Sequence, residues 1–383
     1  MRIGLNAIGF NPGIIGGIET YFRQLLHHLQ LESGAHDYLI SCKNTDVDSF
    51  ELQNPRFSFF VFNFGRPSLK WLLRGVLFEV AHVDIIKSSM NKLPVDVIHH
   101  PFTVLEPLNL KIPSVLTFWD MQHEFYPEFF TWREMRFRNF SFPASAQQAT
   151  RIIVSSKFTK RCLIERYNVR PDKIDVIYTG VGKEYRSITD PEVLDEVKLR
   201  YSLPDVFIYY PAALWQHKNH RTLLDALCLV RDRYGIEVNL VLSGMSTGRA
   251  VELHAEILKR NLQRLVTVLG YLPYEDLPSI YNLATIMIFP SLFEGFGIPL
   301  VEAMACGCPV VCSHSTSIPE VVGEAALMFD PQSIDEMATA IFKVLDDRVL
   351  RQNMSIAGLE QAKLFNWCET ARQTQAVYEK ACC

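Results

Sequence analysis

The feature that most constrains the fold of this chain is residues 286–313, where two short apolar runs flank a loop and a short helical pattern. The first run, Ile286–Phe289, is typical of a strand buried in a parallel sheet. A helix is predicted to begin at Pro299, because proline at the first helical position loses no hydrogen bond and has its φ already set. Gly307 ends that helix before the second apolar run, 310–312. This order of strand, helix and strand predicts an α/β domain.

The loop in this stretch is suited to bind an anion. Backbone N–H groups and the positive end of the helix dipole favour a ligand such as a diphosphate, and Gly295 and Gly297 let the backbone approach it closely. Glu294 in the loop and Glu302, expected in the first helical turn, would repel phosphate unless they face sugar hydroxyls. The stretch therefore predicts a ligand with both a diphosphate and sugars. The alternative for Glu302 is a solvated first-turn acid that the dipole favours.

Two glutamates eight positions apart around Glu-Gly-Phe-Gly, followed by a helix of small residues and Gly-Cys-Pro-Val-Val, resemble the retaining glycosyltransferases of family 4. In that family this segment holds the nucleotide sugar. The resemblance implies that Glu302 binds the ribose hydroxyls and Glu294 the transferred sugar. It also implies that Phe296, Gly297 and Ile298 bind the donor, the first two through backbone N–H groups.

Length and composition limit the class of protein. A chain of 383 residues exceeds one typical core, so two domains are expected. Apolar residues at 48% and charged residues at 21% are ordinary for a soluble globular protein. No apolar stretch approaches the ~18 residues of a membrane span. The N-terminus enters a strand pattern without a cationic and then apolar leader, so the protein is expected to be cytoplasmic.

The charge is unevenly distributed. Between Arg133 and Lys173, ten Lys and Arg face three acidic residues, although the whole chain has a net charge of −4. Such a patch could receive an acidic glycan, a lipid diphosphate or the inner surface of a membrane, and a solvated helix face is the alternative. The excess is too small to predict nucleic-acid binding. Cys306 and Cys308 lack a second pair at zinc-site spacing and are expected to be small buried hydrophobes.

Strands alternate with helices in both halves, which predicts two doubly wound Rossmann-like α/β domains facing across a cleft. Strands are predicted within residues 2–7, 38–42, 57–62, 95–101, 114–120, 151–167, 173–181, 206–227, 238–245, 265–284, 286–289 and 310–312. A long amphipathic helix is predicted over 68–92. The resemblance implies the GT-B architecture, with an N-terminal acceptor-side domain over 1–182, a donor-binding domain over 183–364, and a C-terminal helix in 365–383 that crosses back to the first domain.

The resemblance extends to further donor-binding positions. Gly16 and Gly17, in the loop after the first strand, match a family Gly-Gly whose backbone comes near the donor phosphate. Lys218 matches a lysine that pairs with the donor phosphates, a task that suits a mobile point charge. Leu269 and Tyr271 match positions that border the nucleotide base.

Two positions depart from the family pattern. Trp119 replaces a histidine that a subgroup sets near the transferred sugar, so Asp120 could contact the sugar or acceptor and His123 could supply the imidazole. A structural role is about equally probable for His123. Ala213 replaces a frequent arginine, so charge compensation is expected from His217 or from helix amides. The catalytic candidates are thus Glu294, Asp120, His123 and Lys218.

The resemblance therefore implies a retaining hexosyltransferase that needs no metal or other cofactor. The donor is expected to be a nucleotide-diphosphate sugar, with UDP-glucose favoured over GDP-mannose, and the acceptor a glycan or lipid-linked hydroxyl in polysaccharide biosynthesis. A catalytically silent nucleotide-sugar-binding protein and a nucleotide-sugar epimerase are the alternatives. A dinucleotide oxidoreductase is disfavoured, because residues 13–17 do not supply G-x-G-x-x-G.

Overall fold

A computed structural model describes residues 1–13, 16–32, 34, 36–63, 73–74, 84–245 and 248–382. The chain divides into two compact units, Met1–Gly180 with Asn366–Cys383, and Val181–Phe365. Each unit is built around one sheet in which neighbouring strands pair in parallel. Among the helices described, none is long and apolar enough to cross a bilayer.

The first unit has a seven-stranded sheet of order β3-β2-β1-β4-β5-β6-β7. Its strands are β1 Arg2–Asn6, β2 Asp37–Lys43, β3 Phe57–Phe62, β4 Val97–His100, β5 Ser114–Phe118, β6 Arg151–Val154 and β7 Ile174–Val176. Its helices are Gly17–Leu31, Lys87–Met90, Gln122–Phe125, Trp132–Gln148, Lys157–Tyr167 and Trp367–Cys382. The strand order reverses between β1 and β4, as in doubly wound sheets, whose ligands bind beyond the carboxyl ends of the strands at such a point.

The second unit has a six-stranded sheet of order β10-β9-β8-β11-β12-β13. Its strands are β8 Phe207–Pro211, β9 Asn239–Ser243, β10 Val266–Val268, β11 Ile286–Phe289, β12 Val310–Ser313 and β13 Ala326–Phe329. Its helices are Pro191–Arg200, His220–Tyr234, Ala250–Lys259, Leu277–Leu283, Ile298–Ala305, Ile318–Val322, Ile334–Asp346 and Arg348–Ala362. All four residues of β11 are buried, as expected for a central strand with both faces covered.

The C-terminal helix Trp367–Cys382 belongs to the core of the first unit. Its Trp367 and Tyr378 pack among the buried residues of β1, β2 and the helix Gly17–Leu31. A buried polar chain adds to this packing, because His99 Nδ1 lies 2.8 Å from the Tyr378 hydroxyl and His99 Nε2 lies 2.7 Å from Thr117 Oγ1. The last helix is therefore attached to the first unit both by apolar packing and by hydrogen bonds.

The twelve predicted strands are all present. The strand Ala326–Phe329 was not predicted, although its four residues are all apolar. The helix predicted over 68–92 falls mostly on residues outside the described ranges, and its described part contains the short helix Lys87–Met90.

Candidate functional site

The second unit brings two predicted site residues into direct contact. Lys218 follows β8, and Glu294 lies in the loop after β11; these strands are neighbours at the point where the strand order reverses. Lys218 Nζ lies 2.6 Å from Glu294 Oε1, and both side chains are mostly enclosed, with 16% and 12% exposed. The ammonium also lies 5.3 Å from the centre of the Phe289 ring. A cation and an anion therefore meet where an open α/β sheet usually binds its ligand.

The Glu294 loop is fixed by hydroxyl groups beyond the end of β12. The Thr316 hydroxyl oxygen accepts a hydrogen bond from Glu294 N at 3.1 Å, and the Ser317 hydroxyl donates to the Glu294 carbonyl at 2.9 Å. Ser313, at the end of β12, donates to the Ser291 carbonyl at 2.6 Å. The backbone of the loop is thus held in place whether or not the Glu294 side chain keeps its partner.

The start of the helix Ile298–Ala305 is open to an anion. Gly297 precedes the helix with φ 99°, and a Cβ there would lie 2.8 Å from Leu300 Cδ1, so this position requires glycine. Within the described part of the chain, no side chain caps this helix start. Phe296 is buried against Phe365 at 5.6 Å between ring centres, so its side chain faces the core, and its carbonyl accepts a hydrogen bond from the Ser317 hydroxyl at 3.3 Å. This geometry suits a phosphate group.

Glu302 is buried, which excludes the solvated alternative. It is the fifth residue of its helix and only 7% exposed, so the expected position in the first turn was wrong. The helix begins one residue earlier than predicted, at Ile298 instead of Pro299. The Tyr281 hydroxyl donates a hydrogen bond to Glu302 Oε2 at 2.9 Å. Burial raises the pKa of the Glu302 carboxyl to about 7, and the hydroxyls of Tyr281 and Tyr185 oppose that rise.

Tyrosines surround this carboxyl. The ring of Tyr281 lies 5.2 Å from that of Tyr209 and 6.0 Å from that of Tyr185, and Tyr185 lies 5.6 Å from Tyr274. Burial raises the pKa of each of these hydroxyls, and the nearby Glu302 raises it further. The sequence showed Tyr281 only as an apolar position at helical spacing, with no signal for a polar role. The tyrosines thus supply weakly acidic hydroxyls that stay protonated beside the carboxyl.

The predicted base-binding residues follow the edge strand β10. Leu269 N donates to the Leu242 carbonyl at 2.9 Å, and the Gly270 carbonyl accepts from Gly244 N at 2.7 Å, which attaches this loop to the end of β9. Tyr271 is 75% exposed. Two strands separate β10 from β11, so a ligand that reached both loops would extend across β8 and β9. The base-binding role stays a prediction.

In the first unit, Gly16 and Gly17 begin the helix Gly17–Leu31 as expected. Gly16 has φ 55°, and a Cβ added there would meet no atom within 4 Å, so the space beside it is open. Residues 14 and 15 of the loop lie outside the described ranges. Glu19 Oε2 accepts a hydrogen bond from Gly13 N at 2.7 Å, so one loop amide is already used by a side chain.

The residues after β5 differ in exposure. Trp119 is buried; its indole Nε1 donates to the Pro101 carbonyl at 2.8 Å, and its ring packs edge-on against Tyr21 at 4.5 Å. Asp120 is half-buried and accepts from Gln122 N at 3.1 Å. His123 is buried, with Nε2 3.1 Å from the Tyr167 hydroxyl. Burial lowers the pKa of His123 to about 4, with a smaller contribution from Arg138. This geometry favours the structural alternative for His123, and its catalytic role stays a prediction.

Without a ligand, His217 does not supply the charge that Ala213 lacks. Burial lowers the pKa of His217 to about 2, and the adjacent Lys218 lowers it further, so the imidazole is neutral at pH 7. Compensation by His217 or by the helix amides when a diphosphate is bound stays a prediction.

Two cysteines of this unit are small buried residues, as the sequence predicted. Cys306 and Cys308 are buried free thiols whose pKa burial raises. In the described ranges, no three His, Cys, Asp or Glu side chains are grouped so that they could hold a metal ion. The predicted independence from metal is not tested by this observation and stays a prediction.

Comparisons with known proteins agree on one family. The family model described as "Glycosyltransferase Family 4" matches residues 15–185, and that described as "Glycosyl transferases group 1" matches 195–361. The chain is 33% identical over 285 residues to the O-antigen chain mannosyltransferase B of Escherichia coli, with 74% of each chain covered. It is 32% identical over 233 residues to the serotype-specific mannosyltransferase WbdA of Escherichia coli, covering 60% of this chain but 28% of that protein.

A solved structure matches almost the whole chain. Sucrose-phosphate synthase from Thermosynechococcus elongatus superposes with a TM-score of 0.76 over 99% of this chain and 98% of that chain, at 21% identity. At this identity the likeness establishes a shared fold.

Proposed function

The chain belongs to glycosyltransferase family 4, and on this premise we propose that it transfers mannose from GDP-mannose to a hydroxyl of a glycan or lipid-linked acceptor, with retention at the anomeric carbon. The support for mannose is the relatives named as mannosyltransferases. UDP-glucose, which sequence reasoning favoured, is the alternative donor. The relatives named for O-antigen chains support a role in polysaccharide biosynthesis.

The observation that carries this proposal is the Lys218–Glu294 ion pair beside the uncapped start of the helix Ile298–Ala305. A donor brings a diphosphate for Lys218 and the helix amides, and a sugar whose hydroxyls can donate to Glu294. Binding then exchanges one ion pair for another, so Lys218 is not left without an anion. We assign the phosphates to Lys218 and the backbone N–H groups, and the transferred sugar to Glu294.

During transfer the bond between the anomeric carbon and the diphosphate oxygen breaks, and a bond to the acceptor oxygen forms on the same face of the sugar. The acceptor proton leaves with the departing diphosphate. Negative charge grows on that diphosphate, and the preorganised helix amides and Lys218 stabilise it. We propose that these groups suffice without a metal.

We assign the ribose hydroxyls to Glu302. The carboxyl accepts hydrogen bonds freely on both oxygens only when it is ionised, because protonation turns one oxygen into a donor. Its pKa of about 7 makes this acceptor sensitive to pH in the neutral range. The Tyr281 hydroxyl, 2.9 Å from Oε2, holds the carboxyl in one orientation.

The test is calorimetric titration with UDP, GDP, UDP-glucose and GDP-mannose in EDTA, on the wild type, Glu302→Gln and the control Glu324→Gln. Glu324 is an exposed glutamate of the same unit. We expect metal-free binding of GDP and GDP-mannose that Glu302→Gln weakens about tenfold or more and Glu324→Gln leaves unchanged. Binding of uridine nucleotides alone would overturn the proposed donor, and equal binding by Glu302→Gln would overturn the ribose role.

Release of GDP from GDP-mannose in the presence of acceptor separates an enzyme from a silent binding protein. Donor binding without any turnover, across lipid-linked and free glycan acceptors, would favour the binding protein.

The peripheral membrane contact predicted for the first unit stays a prediction.

A further inference from the structure

The first unit contains a cavity of about 790 Å³ that the donor assignment does not use. It lies beyond the carboxyl ends of β4 and β5, where Phe102 and Thr103 follow one strand and Trp119 and Asp120 follow the other. The helix Trp132–Gln148 forms another wall. The cavity is therefore next to the reversal of strand order between β1 and β4, the usual ligand position of such a sheet.

Much of the wall is apolar and aromatic. Phe102, Trp119, Phe137, Phe140 and Phe142 line the cavity. Trp119 is fixed by its hydrogen bond to Pro101, whereas Phe137 and Phe140 are 45% and 37% exposed at the helix surface. Walls of this kind bury an apolar ligand without requiring hydrogen bonds from it.

Three arginines of the helix, Arg133, Arg136 and Arg138, line the same cavity. None of them forms an ion pair with a carboxylate in the part of the chain that the structure describes. The Arg138 guanidinium lies 4.3 Å from the centre of the Phe130 ring and 5.2 Å from that of Phe142. Burial lowers the pKa of Arg138, and the nearby charges of Asp120 and Glu134 partly oppose this effect, although neither carboxylate is within ion-pair distance of it. A guanidinium that is partly removed from water without an anion is stabilised by any anion that binds there.

The acidic residues of the wall already have partners. Glu134 accepts hydrogen bonds from the backbone N–H and the hydroxyl of Thr131, both at 2.8 Å, at the start of the helix. Asp120 accepts from Gln122 N. These carboxylates therefore leave the three guanidinium groups available for a ligand.

Two further features of the wall are typical of a binding site. The Ser141 hydroxyl is 2% exposed, lines the cavity and has no hydrogen-bond partner among the described residues. Thr103, also in the wall, has φ 70°, a left-handed conformation that is strained for a β-branched residue. An unsatisfied buried hydroxyl and a strained backbone both lower stability, and both are commonly kept where a ligand binds.

We propose that this cavity binds the carrier end of the acceptor, an apolar chain joined to the acceptor glycan through a phosphate group. The aromatic wall covers the chain, the three arginines pair with the phosphate, and Ser141 donates a hydrogen bond to a phosphate oxygen. This inference rests on the proposed glycosyl transfer, and it narrows the acceptor from any glycan to one on an amphipathic phosphate carrier.

The experiment is calorimetric titration of the whole protein with three probes: farnesyl phosphate, farnesol and glucose 1-phosphate. GDP and UDP are kept at saturating concentration, so that a phosphate probe cannot bind at the donor position. Farnesyl phosphate is expected to bind at least tenfold more tightly than either of the others. If glucose 1-phosphate bound equally well, the proposed contact between the aromatic wall and an apolar chain would be overturned. If farnesol bound equally well, the proposed contact between the arginines and a phosphate would be overturned.

Substitutions of the three arginines test whether farnesyl phosphate binds in this cavity. The triple change Arg133→Gln, Arg136→Gln and Arg138→Gln is expected to weaken farnesyl phosphate at least tenfold. The matched control is Arg161→Gln, an exposed arginine of the same unit that lies 5.6 Å from the Phe158 ring and outside the cavity. If the triple variant is unstable, the double change at the exposed Arg133 and Arg136 replaces it. Unchanged affinity in these variants would overturn the assignment.

Ser141→Ala separates binding from stability. Because the hydroxyl is buried and unpaired, its removal is expected to leave the Tm equal or higher while weakening farnesyl phosphate about fivefold. A lower Tm with unchanged affinity would show a structural hydroxyl and contradict the proposal.

Vesicles of phosphatidylglycerol test the alternative that the basic patch binds a membrane surface. If the triple change abolished vesicle binding but not farnesyl phosphate binding, the arginines would face a membrane and the inference would fail.

Failure of this inference and failure of the proposed function give different results. If nucleotides bind normally and farnesyl phosphate does not, only the carrier site is wrong. If GDP and UDP also fail to bind, the donor assignment is wrong.

Discussion

Lys218 and Glu294, 76 positions apart in the chain, form an enclosed ion pair with 2.6 Å between Nζ and Oε1. Each is expected to bind a different part of one donor, the phosphates and the sugar. In the protein without ligand, the two side chains therefore pair with each other: Lys218 contacts a carboxylate in place of a phosphate, and Glu294 contacts an ammonium in place of sugar hydroxyls. The ion pair lowers the cost of keeping both charges out of water, and the donor must break it.

Glu294→Gln is expected to bind the nucleoside diphosphate equally or up to about fivefold more tightly, because Lys218 no longer has a competing carboxylate. Sugar transfer is expected to fall about 10- to 100-fold, because a charged acceptor for the sugar hydroxyls is lost. Calorimetry with GDP and a transfer assay measure the two effects. A clear loss of GDP affinity would contradict the exchange of partners, and the exposed Glu324→Gln serves as control.

The stability of the protein is expected to depend on the ionisation of Glu302. The folded chain holds this proton more tightly than the unfolded chain, with a pKa of about 7 against the ordinary 4.5. The folded state therefore loses stability as the pH rises from about 4.5 to about 7, by about 3 kcal/mol in all. Glu302→Gln removes this cost, so its Tm should exceed that of the wild type at pH 8 and approach it at pH 4.5.

Buried histidines make the stability change with pH in the opposite direction. Because the wild type and Glu302→Gln share these histidines, the difference in Tm between the two proteins at each pH cancels their effect. Burial lowers the pKa of His99 and His100 to about 3, so both remain neutral in the folded chain, and their contribution is lost as the pH falls below about 6.5. A Tm difference between Glu302→Gln and wild type that did not change with pH would contradict the raised pKa of Glu302.

Tyr281→Phe is expected to shift the pH dependence of donor binding. Its hydroxyl donates to Glu302 and lowers the carboxyl pKa, so its removal raises that pKa and moves the rise in donor affinity to higher pH. A purely structural tyrosine would change the Tm without moving this profile. The measurement is the Kd of the donor between pH 6 and pH 9. The matched control is Tyr209→Phe, whose hydroxyl bonds Ser243 at 2.7 Å instead.

Tyr378→Phe is expected to destabilise the first unit by about 1–3 kcal/mol, because it leaves His99 Nδ1 buried without its partner at 2.8 Å. Denaturant unfolding gives the free energy, and hydrogen exchange locates the loss in the helix Trp367–Cys382. Arg372→Ala on the same helix, an exposed arginine paired with Glu369, is expected to change stability by less than about 1 kcal/mol. Equal effects of the two changes would argue against the buried hydrogen-bond chain.

Much of the fold could be predicted because its signals are local. Short apolar runs located twelve of the thirteen strands that the structure describes, and the predicted GT-B fold is confirmed, with two doubly wound parallel sheets. Glycine requirements were also local: Gly297 was chosen from its place between strand and helix, and its φ of 99° agrees.

The sequence by itself determined which residue types stand at the ends of the strands: Lys218 after β8, Glu294 after β11, and a glycine at the start of the following helix. Only the tertiary structure decided what surrounds them. It paired Lys218 with Glu294, placed Tyr281 against Glu302, buried His123, and set the residues after β4 and β5 and the arginine-bearing helix Trp132–Gln148 around one cavity. The physical reason is that apolar periodicity reports which face of an element is buried. Hydrogen-bond partners and pKa values depend instead on residues distant in the chain that folding brings together.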